Sequence, residues 1–163
     1  ISSPRDYQRK LFTYSLNNNS IVWLPTGSGK TLIALMLLKH YIVKDMKKKC
    51  FFLVPTVALG IQQFEYLNGN LPCKVSFVYG GRNVDQWSRE TWYTEIEEHQ
   101  CFVMTPQLFL DGHRHALIDK SLISVVVFDE CHHAVKGHPY KLIMNELQEN
   151  LANIRILGLS ASP

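Results

Sequence analysis

The chain has 163 residues, a length that favours one compact domain over two. A hydrophobic composition of 46% supplies one ordinary core and excludes a disordered chain, a collagen and a disulfide-stabilised miniprotein. The net charge of +3 permits a polyanionic partner without requiring one.

Cysteine spacing and apolar runs indicate where such a chain works. Cys50, Cys73, Cys101 and Cys131 form no CxxC pair, which favours a reducing compartment, and we predict a cytoplasmic protein. The apolar runs are far shorter than the roughly 18 residues of a membrane span, so no membrane partner is expected. Because Ile1 opens neither an initiator-Met start nor a signal pattern, we interpret the chain as a segment of a longer protein.

The first predicted element is a helix. Ser3, Pro4 and Asp6 fit an N-cap, a first helical residue and a capping-box partner. A helix should therefore begin at Ser3 and run to about Leu16.

A strand, a glycine-rich loop and a helix come next. The apolar residues 21–24 precede the loop at 25–31, and residues 32–43 have helical spacing. In this context the loop's backbone N–H groups and the positive helix end can hold phosphate oxygens, Lys30 can reach the β- and γ-phosphates, and the Thr31 hydroxyl can ligate Mg²⁺. A plain glycine-rich turn is the alternative, and Leu24 occupies the motif's first glycine position. The candidate cofactor-binding residues here are Thr26, Gly27, Ser28, Gly29, Lys30 and Thr31.

Strand and helix patterns alternate along the rest of the chain. Apolar bursts typical of buried strands occur at residues 50–54, 75–79, 101–104, 123–128 and 154–159, and helical spacing occurs at 57–67, 87–97, 107–116 and 140–151. Such alternation predicts an α/β fold with a parallel β-sheet and helices on both faces.

Two adjacent carboxylates close the predicted strand at residues 123–128. Phosphate-loop ATPases place their Walker B acids in this way. Asp129 would hold Mg²⁺ through water, and Glu130 would orient and deprotonate the attacking water. The alternative is that Asp129 only caps the segment after the strand. Together with Lys30, these are the candidate catalytic residues, and ATP and Mg²⁺ are the predicted cofactors.

The histidines near the acids form a weaker pattern. Cys131, His132 and His133 match no standard zinc spacing, and we interpret His132 as a coupling residue. Ser160 and Ser162 follow the last predicted strand and should emerge at the same sheet edge as Asp129.

Residues 129–132 read Asp-Glu-Cys-His, a DECH box, and the whole chain resembles the first RecA-like lobe of a superfamily 2 RNA helicase. Arg5 and Gln8, which share a face of the first predicted helix, match the Q motif, which in the family contacts adenine. The loop at 25–31 matches motif I. Ser160 and Ser162 match motif III, which links ATP state to RNA binding.

Three further segments are similar to family elements that hold the nucleic-acid backbone. Pro55, Thr56 and Gln63 match motif Ia, Gly81 matches the double-glycine element, and Thr105 and Gln107 match motif Ib. The resemblance implies that these six residues bind RNA.

The DECH form of this box resembles that of the duplex-RNA-sensing branch of the family, which contains the Dicer ribonucleases and the RIG-I-like receptors. Residues 85–92 and 138–144 resemble Dicer segments, and residues 79–110 most resemble arthropod-type Dicers. The resemblance implies an ATP-dependent double-stranded-RNA (dsRNA) helicase lobe within a Dicer endoribonuclease that makes small interfering RNAs for silencing and antiviral defence. A receptor that senses RNA without cutting it, and a DNA-directed helicase, remain alternatives.

The resemblance implies that residues 1–163 are the helicase ATP-binding lobe and that the second RecA-like lobe, with its arginine fingers, is not in this chain. An arginine finger is worth roughly 10³ to 10⁵ in rate, so we expect the lobe alone to be nearly inactive. The expected partners are dsRNA, the second lobe and a dsRNA-binding protein.

Overall fold

The computed structural model describes residues 3–23, 29–131 and 138–161, without the side chain of His138. The strands in this part of the chain are β1 Ser20–Trp23, β2 Lys49–Leu53, β3 Val75–Val78, β4 Cys101–Met104, β5 Ile123–Phe128 and β6 Arg155–Ser160. The α-helices are α1 Asp6–Asn17, α2 Lys30–Lys44, α3 Val57–Asn70, α4 Arg89–Glu98, α5 Pro106–Arg114 and α6 His138–Glu146.

The strands form one parallel sheet in the order β1-β6-β5-β2-β4-β3. β2 to β5 are buried along their whole length, which explains why their sequences are nearly continuous apolar runs. The predicted parallel α/β sheet is therefore confirmed.

Each face of the sheet carries its own apolar core. In β2, Cys50 and Phe52 join the core on the side of α1, α2 and α3, whereas Phe51 and Leu53 join the core on the side of α4, α5 and α6. Successive side chains of a strand point to opposite faces, so one short apolar run serves both cores. The predicted helices on both faces are confirmed.

Helix α1 begins later than predicted. Its N-cap is Arg5, whose backbone N–H donates to the Gln8 side-chain oxygen at 2.8 Å. The prediction of Ser3 as N-cap was wrong, because the glutamine three residues after Arg5 supplies the capping contact. The helix ends at Asn17, one residue after the predicted end.

The last predicted helix is two elements in the structure. α6 ends at Glu146, and a 3₁₀ turn, Gln148–Asn150, follows. The Lys120 ammonium donates to the Glu146 carbonyl oxygen at 3.3 Å, which satisfies a carbonyl at the helix end from another part of the chain.

Among the described residues, no helix combines the length and the apolar character that crossing a membrane requires.

Candidate nucleotide-binding site

The beginning of α2 lies just beyond β1. Gly29 is its N-cap and has a left-handed backbone with φ of +80°, and Lys30 and Thr31 form its first residues. A positive φ of this size favours glycine. The first turn therefore presents Lys30 and Thr31 where the positive end of the helix can attract an anion. Thr26, Gly27 and Ser28 lie outside the described residues.

Gln8 connects α1 to this turn. Its side chain is buried, and its amide nitrogen donates to the Gly29 carbonyl oxygen at 3.4 Å. A Cβ atom at position 29 would overlap that amide nitrogen, so only glycine fits there without displacement. The side chain of Arg5 is exposed, and its guanidinium lies 3.4 Å from the Tyr7 hydroxyl. The structure thus brings Gln8, rather than the Arg5 side chain, against Gly29.

Asp129 directly follows β5 and is 4% exposed. One carboxylate oxygen accepts the Glu130 backbone N–H at 2.9 Å, and the other accepts the Gln63 amide at 3.3 Å. Its own N–H donates to the Leu53 carbonyl at 2.9 Å, and its carbonyl oxygen lies 2.7 Å from the Tyr140 hydroxyl. Both the side chain and the main chain of this residue are therefore fixed.

Burial and charge act against each other at this carboxylate. Burial and the neighbouring charge of Glu130 raise the pKa of Asp129 to about 6, while the hydrogen bonds from Glu130 and Gln63 and the charge of Lys30 lower it. The influence of Lys30 places the two predicted motifs in one electrostatic environment. Asp129 and Glu130 are adjacent carboxylates that repel each other, and a hard divalent cation prefers oxygen ligands of this kind. The residues present therefore fit Mg²⁺.

Glu130 continues the turn in an unusual backbone conformation. Its φ is +50°, a left-handed value that is uncommon for a residue with a side chain and that costs on the order of 1–3 kcal/mol. The next residue, Cys131, donates its N–H to the Leu159 carbonyl at 2.7 Å. The strained turn after β5 is therefore hydrogen-bonded to β6.

Ser160 is fully buried at the end of β6, where it forms a side-chain hydrogen bond with Cys131. Burial raises the pKa of the Cys131 thiol to about 11, and the Ser160 contact partly opposes that rise. The expected placement of Ser160 at the edge that carries Asp129 agrees with this contact. His132 and Ser162, the other two predicted coupling residues, lie outside the described residues.

The predicted RNA-binding residues follow three neighbouring strands, β2, β4 and β3. Thr56 is the exposed N-cap of α3 and accepts the Leu59 N–H at 3.2 Å, with Pro55 half-buried before it. Gly81 is exposed in the turn after β3. Thr105 is the N-cap of α5, and the exposed Gln107 donates to Asp111 at 2.9 Å.

Gln63 is the exception among these predicted residues. It lies on α3, is half-buried, and its amide contacts Asp129, so the structure groups it with the Walker acids.

Comparison with known proteins identifies the family. The model described as type III restriction enzyme, res subunit (ResIII), matches residues 1–163. The chain belongs to this family.

Proteins similar to this ResIII domain include several named as Dicers. It is 42% identical over 167 residues to Endoribonuclease Dicer homolog 2 of Arabidopsis thaliana and 37% identical over 174 residues to Dicer-like protein 1 of Aspergillus terreus. These alignments cover 97% and 100% of the chain but only 12% of each relative. Nothing in them supports the receptor alternative.

A solved structure agrees with the fold. The Pyrococcus furiosus Hef helicase domain matches the ResIII domain with a TM-score of 0.85 and 30% identity, over 98% of this chain and 34% of that one. The RecA-like fold class predicted from the sequence is confirmed. Such a domain implies nucleotide binding.

The sequence alone missed one residue of the candidate site. Tyr140 stands in the segment 140–151, whose helical spacing predicts a helix, and it is 3% exposed. Its hydroxyl, however, also lies 3.2 Å from the Leu53 carbonyl, so it joins the ends of β2 and β5. The available signal was the hydroxyl itself, because a buried tyrosine needs a hydrogen-bond partner.

Proposed function

We propose that this chain is the ATP-binding lobe of an ATP-dependent dsRNA helicase or translocase within a Dicer endoribonuclease. One observation carries the proposal: the buried Asp129 carboxylate follows β5 and lies within the electrostatic influence of Lys30, at the start of α2, in a chain similar to Dicers along its whole length. The parent would process long dsRNA into small interfering RNAs for silencing and antiviral defence.

The chain's own residues divide the work of nucleotide hydrolysis. The first N–H groups of α2 and the Lys30 ammonium bind phosphate oxygens, with residues 26–28 completing the loop. Thr31 would ligate Mg²⁺ directly, and Asp129 would hold it through water. When bound, the metal supplies positive charge that neutralises the phosphates. Glu130 orients the attacking water and takes its proton. Arg5 and Gln8 contact adenine.

RNA lies across the part of the sheet edge that carries the loops after β2, β4 and β3. A-form grooves hide base identity, so the contacts go to phosphates and 2′-hydroxyls. The proposed contacts in this lobe are Pro55, Thr56, Gly81, Thr105 and Gln107, whereas the Gln63 amide is directed at Asp129. ATP binding closes this lobe on the second RecA-like lobe, and Ser160, Ser162 and His132 pass the nucleotide state to the RNA side.

The finer parts of the proposal rest on the resemblance. They are a parent of the arthropod type, a cytoplasmic location, a ribonuclease III activity elsewhere in the parent and a dsRNA-binding partner protein. The sequences that flank this lobe in the parent would test them, since ribonuclease III segments downstream support a Dicer.

The test is ATP hydrolysis by the full parent protein with blunt duplex RNA, single-stranded RNA or duplex DNA, with the same RNA examined on a gel. Glu130→Gln serves as the blank, because it should keep nucleotide binding and lose hydrolysis by orders of magnitude. Stimulation by duplex RNA, with the RNA cut to uniform short lengths, is the expected result.

Other outcomes have definite meanings. Stimulation with the RNA left intact would contradict the Dicer assignment and favour a receptor. Stimulation by duplex DNA alone would contradict the RNA substrate. Wild-type turnover by Lys30→Ala would remove the phosphate-loop assignment.

A further inference from the structure

Gln63 contacts the Walker acid from a different element of the fold. It lies on α3, and its amide nitrogen donates to the second carboxylate oxygen of Asp129 at 3.3 Å across 66 residues of sequence. The preceding residue, Gln62, is exposed on the same helix. The two neighbouring glutamines therefore differ in environment, and one of them faces the acid.

The contacts of Asp129 are of two kinds. The Glu130 N–H belongs to the same turn and stays with the carboxylate wherever that turn moves. Gln63 belongs to α3, which packs against β3 and β4, so its hydrogen bond fixes the carboxylate relative to another part of the fold. Rotation of the Asp129 side chain away from Gln63 would leave a half-buried amide and a buried carboxylate oxygen less well satisfied.

Helix α3 links this contact to the surface proposed to meet RNA. The helix begins after Thr56, whose hydroxyl caps it by accepting the Leu59 N–H. Gly60 packs so closely against the Phe77 ring that a Cβ atom there would overlap it. A capped and closely packed helix moves as a body, and Gln63 lies only about 10 Å along its axis from Thr56.

We propose that Gln63 is a positioning residue for the Asp129 carboxylate, and that through it a shift of α3 on nucleic-acid binding reaches the metal-binding acid. This inference rests on the proposed function. It differs from the RNA contact that the family resemblance implies for Gln63, because the amide is already directed at Asp129 and away from the exposed face that carries Gln62.

The main experiment uses Gln63→Leu in the full parent protein, with Gln62→Leu as the matched control. We expect kcat at saturating duplex RNA to fall about 10- to 100-fold, as for other residues that orient a metal ligand. The Mg²⁺ concentration needed for half-maximal rate should rise, while the Kd for duplex RNA without nucleotide stays unchanged. Gln62→Leu should match the wild type in all three measurements.

A second readout does not depend on turnover. In a Glu130→Gln background, Gln63→Leu should weaken Mg²⁺-dependent binding of a fluorescent ATP analogue. In an Asp129→Ala background, which removes the acceptor, the same substitution should have no further effect, because a contact that acts through Asp129 gives a non-additive double-mutant cycle. Additive effects would overturn the inference.

The competing result is equally definite. A raised RNA Kd with an unchanged kcat at saturating RNA would make Gln63 an RNA ligand and overturn the inference, as would wild-type behaviour throughout. If the wild-type parent shows no RNA-stimulated hydrolysis, the proposed function fails, and the nucleotide-binding cycle still decides the role of Gln63.

A second variant guards against misfolding. Gln63→Glu keeps the size and polarity of the side chain but brings a carboxylate that cannot donate and that repels Asp129. Its metal-dependent nucleotide binding should be at least as weak as that of Gln63→Leu, with a melting temperature near that of the wild type. Wild-type nucleotide binding by Gln63→Glu would overturn the inference.

Discussion

At the scale of single residues, the site is held by polar groups that are buried at strand ends. The Tyr140 hydroxyl lies 2.7 Å from the carbonyl oxygen of Asp129 and 3.2 Å from that of Leu53, so one proton serves two main-chain acceptors. The ring packs edge-on against Phe128 at a centroid distance of 4.9 Å. Tyr140 thus contributes both apolar packing and the hydrogen bond that closes the end of β5.

Tyr140→Phe should loosen this end of the sheet. It keeps the ring but removes the donor, which for a buried acceptor costs about 1–3 kcal/mol. Hydrogen exchange of the segment 123–131 in the full-length protein should become faster. Tyr93→Phe is the matched control, because the Tyr93 hydroxyl is on an exposed side chain of α4. Equal exchange in both variants would contradict the role given to the hydroxyl.

Gly29→Ala should impair nucleotide binding. Its φ of +80° is unfavourable for alanine by roughly 1–2 kcal/mol, and the added Cβ would displace Gln8. We expect at least a tenfold weaker affinity for a fluorescent ATP analogue, measured by titration of the full-length protein. Gly69→Ala is the control, because nothing lies within 4 Å of a Cβ atom at position 69 of α3. Similar losses in both variants would disprove the explanation.

At the scale of elements, α4 is tied to the turn after β3 by one carboxylate. Both nitrogens of the Arg82 fork contact Glu95, at 3.1 and 3.2 Å, and a third hydrogen bond joins Arg82 to the Phe77 carbonyl at 2.9 Å. Ser76 also donates to Glu95, and the Arg82 guanidinium lies 4.8 Å from the centre of the Trp87 ring. This network holds the turn that carries Gly81, one of the proposed RNA contacts.

The stabilisation from Glu95 should depend on pH. Burial raises its pKa, but hydrogen bonds from Arg82 and Ser76 and the charges of Arg82 and His99 outweigh burial, so the net pKa lies below the ordinary value of 4.5. A carboxyl whose pKa is lowered by folding stabilises the fold above its ordinary pKa and loses that contribution as the pH falls through the folded value.

Glu95→Gln should therefore melt at a lower temperature than the wild type at pH 7, and the difference should shrink as the pH is lowered below 4.5. Thermal melting of both proteins across this range is the measurement. The exposed Glu98→Gln, in the same helix, should show no such convergence. A constant difference for Glu95→Gln would mean that its charge does not contribute.

At the scale of the whole molecule, the carboxyl edge of the sheet has two halves. The proposed nucleotide-binding residues follow β1, β6 and β5, and the proposed RNA-binding residues follow β2, β4 and β3, so the order of the strands separates the two proposed sites. The Gln63–Asp129 hydrogen bond crosses between the halves. Substitutions away from that contact should therefore affect one ligand and not the other.

Thr105→Val tests this separation. Thr105 is the N-cap of α5, but its hydroxyl makes no capping hydrogen bond, so the substitution should cost little stability. We expect the Kd for duplex RNA to rise severalfold and nucleotide affinity without RNA to stay unchanged, both by titration of the full-length protein. Thr94→Val, at an exposed position of α4, should change neither. Weaker nucleotide binding by Thr105→Val would contradict the division.

Local patterns predicted most of the fold. The bounds of β4 and β5 agree with the sequence prediction: β4 is a continuous apolar run between Gln100 and Thr105, and β5 is a largely apolar run that ends just before Asp129. One error, the N-cap of α1, was a choice between two nearby capping patterns, and the other arose where a distant contact decides the boundary. Lys120 donates a hydrogen bond to the last carbonyl oxygen of α6, and no feature within residues 140–151 predicts that contact.

The candidate site was predictable in part for the same reason. Lys30, Thr31, Asp129 and Glu130 stand at strand and helix ends that the pattern locates. The Gln63 contact with Asp129 joins residues 66 apart, so it depends on how α3 packs on the sheet and not on local sequence.

The pairing of β1 bears on how the protein is made. In the described sheet β1 is an edge strand whose ladder partner is β6, and the Asn19 side chain accepts the Ile156 N–H across 137 residues. Pairing over such a distance forms late, because a long loop must close first. During synthesis on the ribosome, β1 leaves the exit tunnel well before β6 and stays without this ladder partner until β6 has followed. In a nascent chain, the proposed phosphate-binding residues that follow β1 therefore become fixed on the sheet only after β6 has emerged.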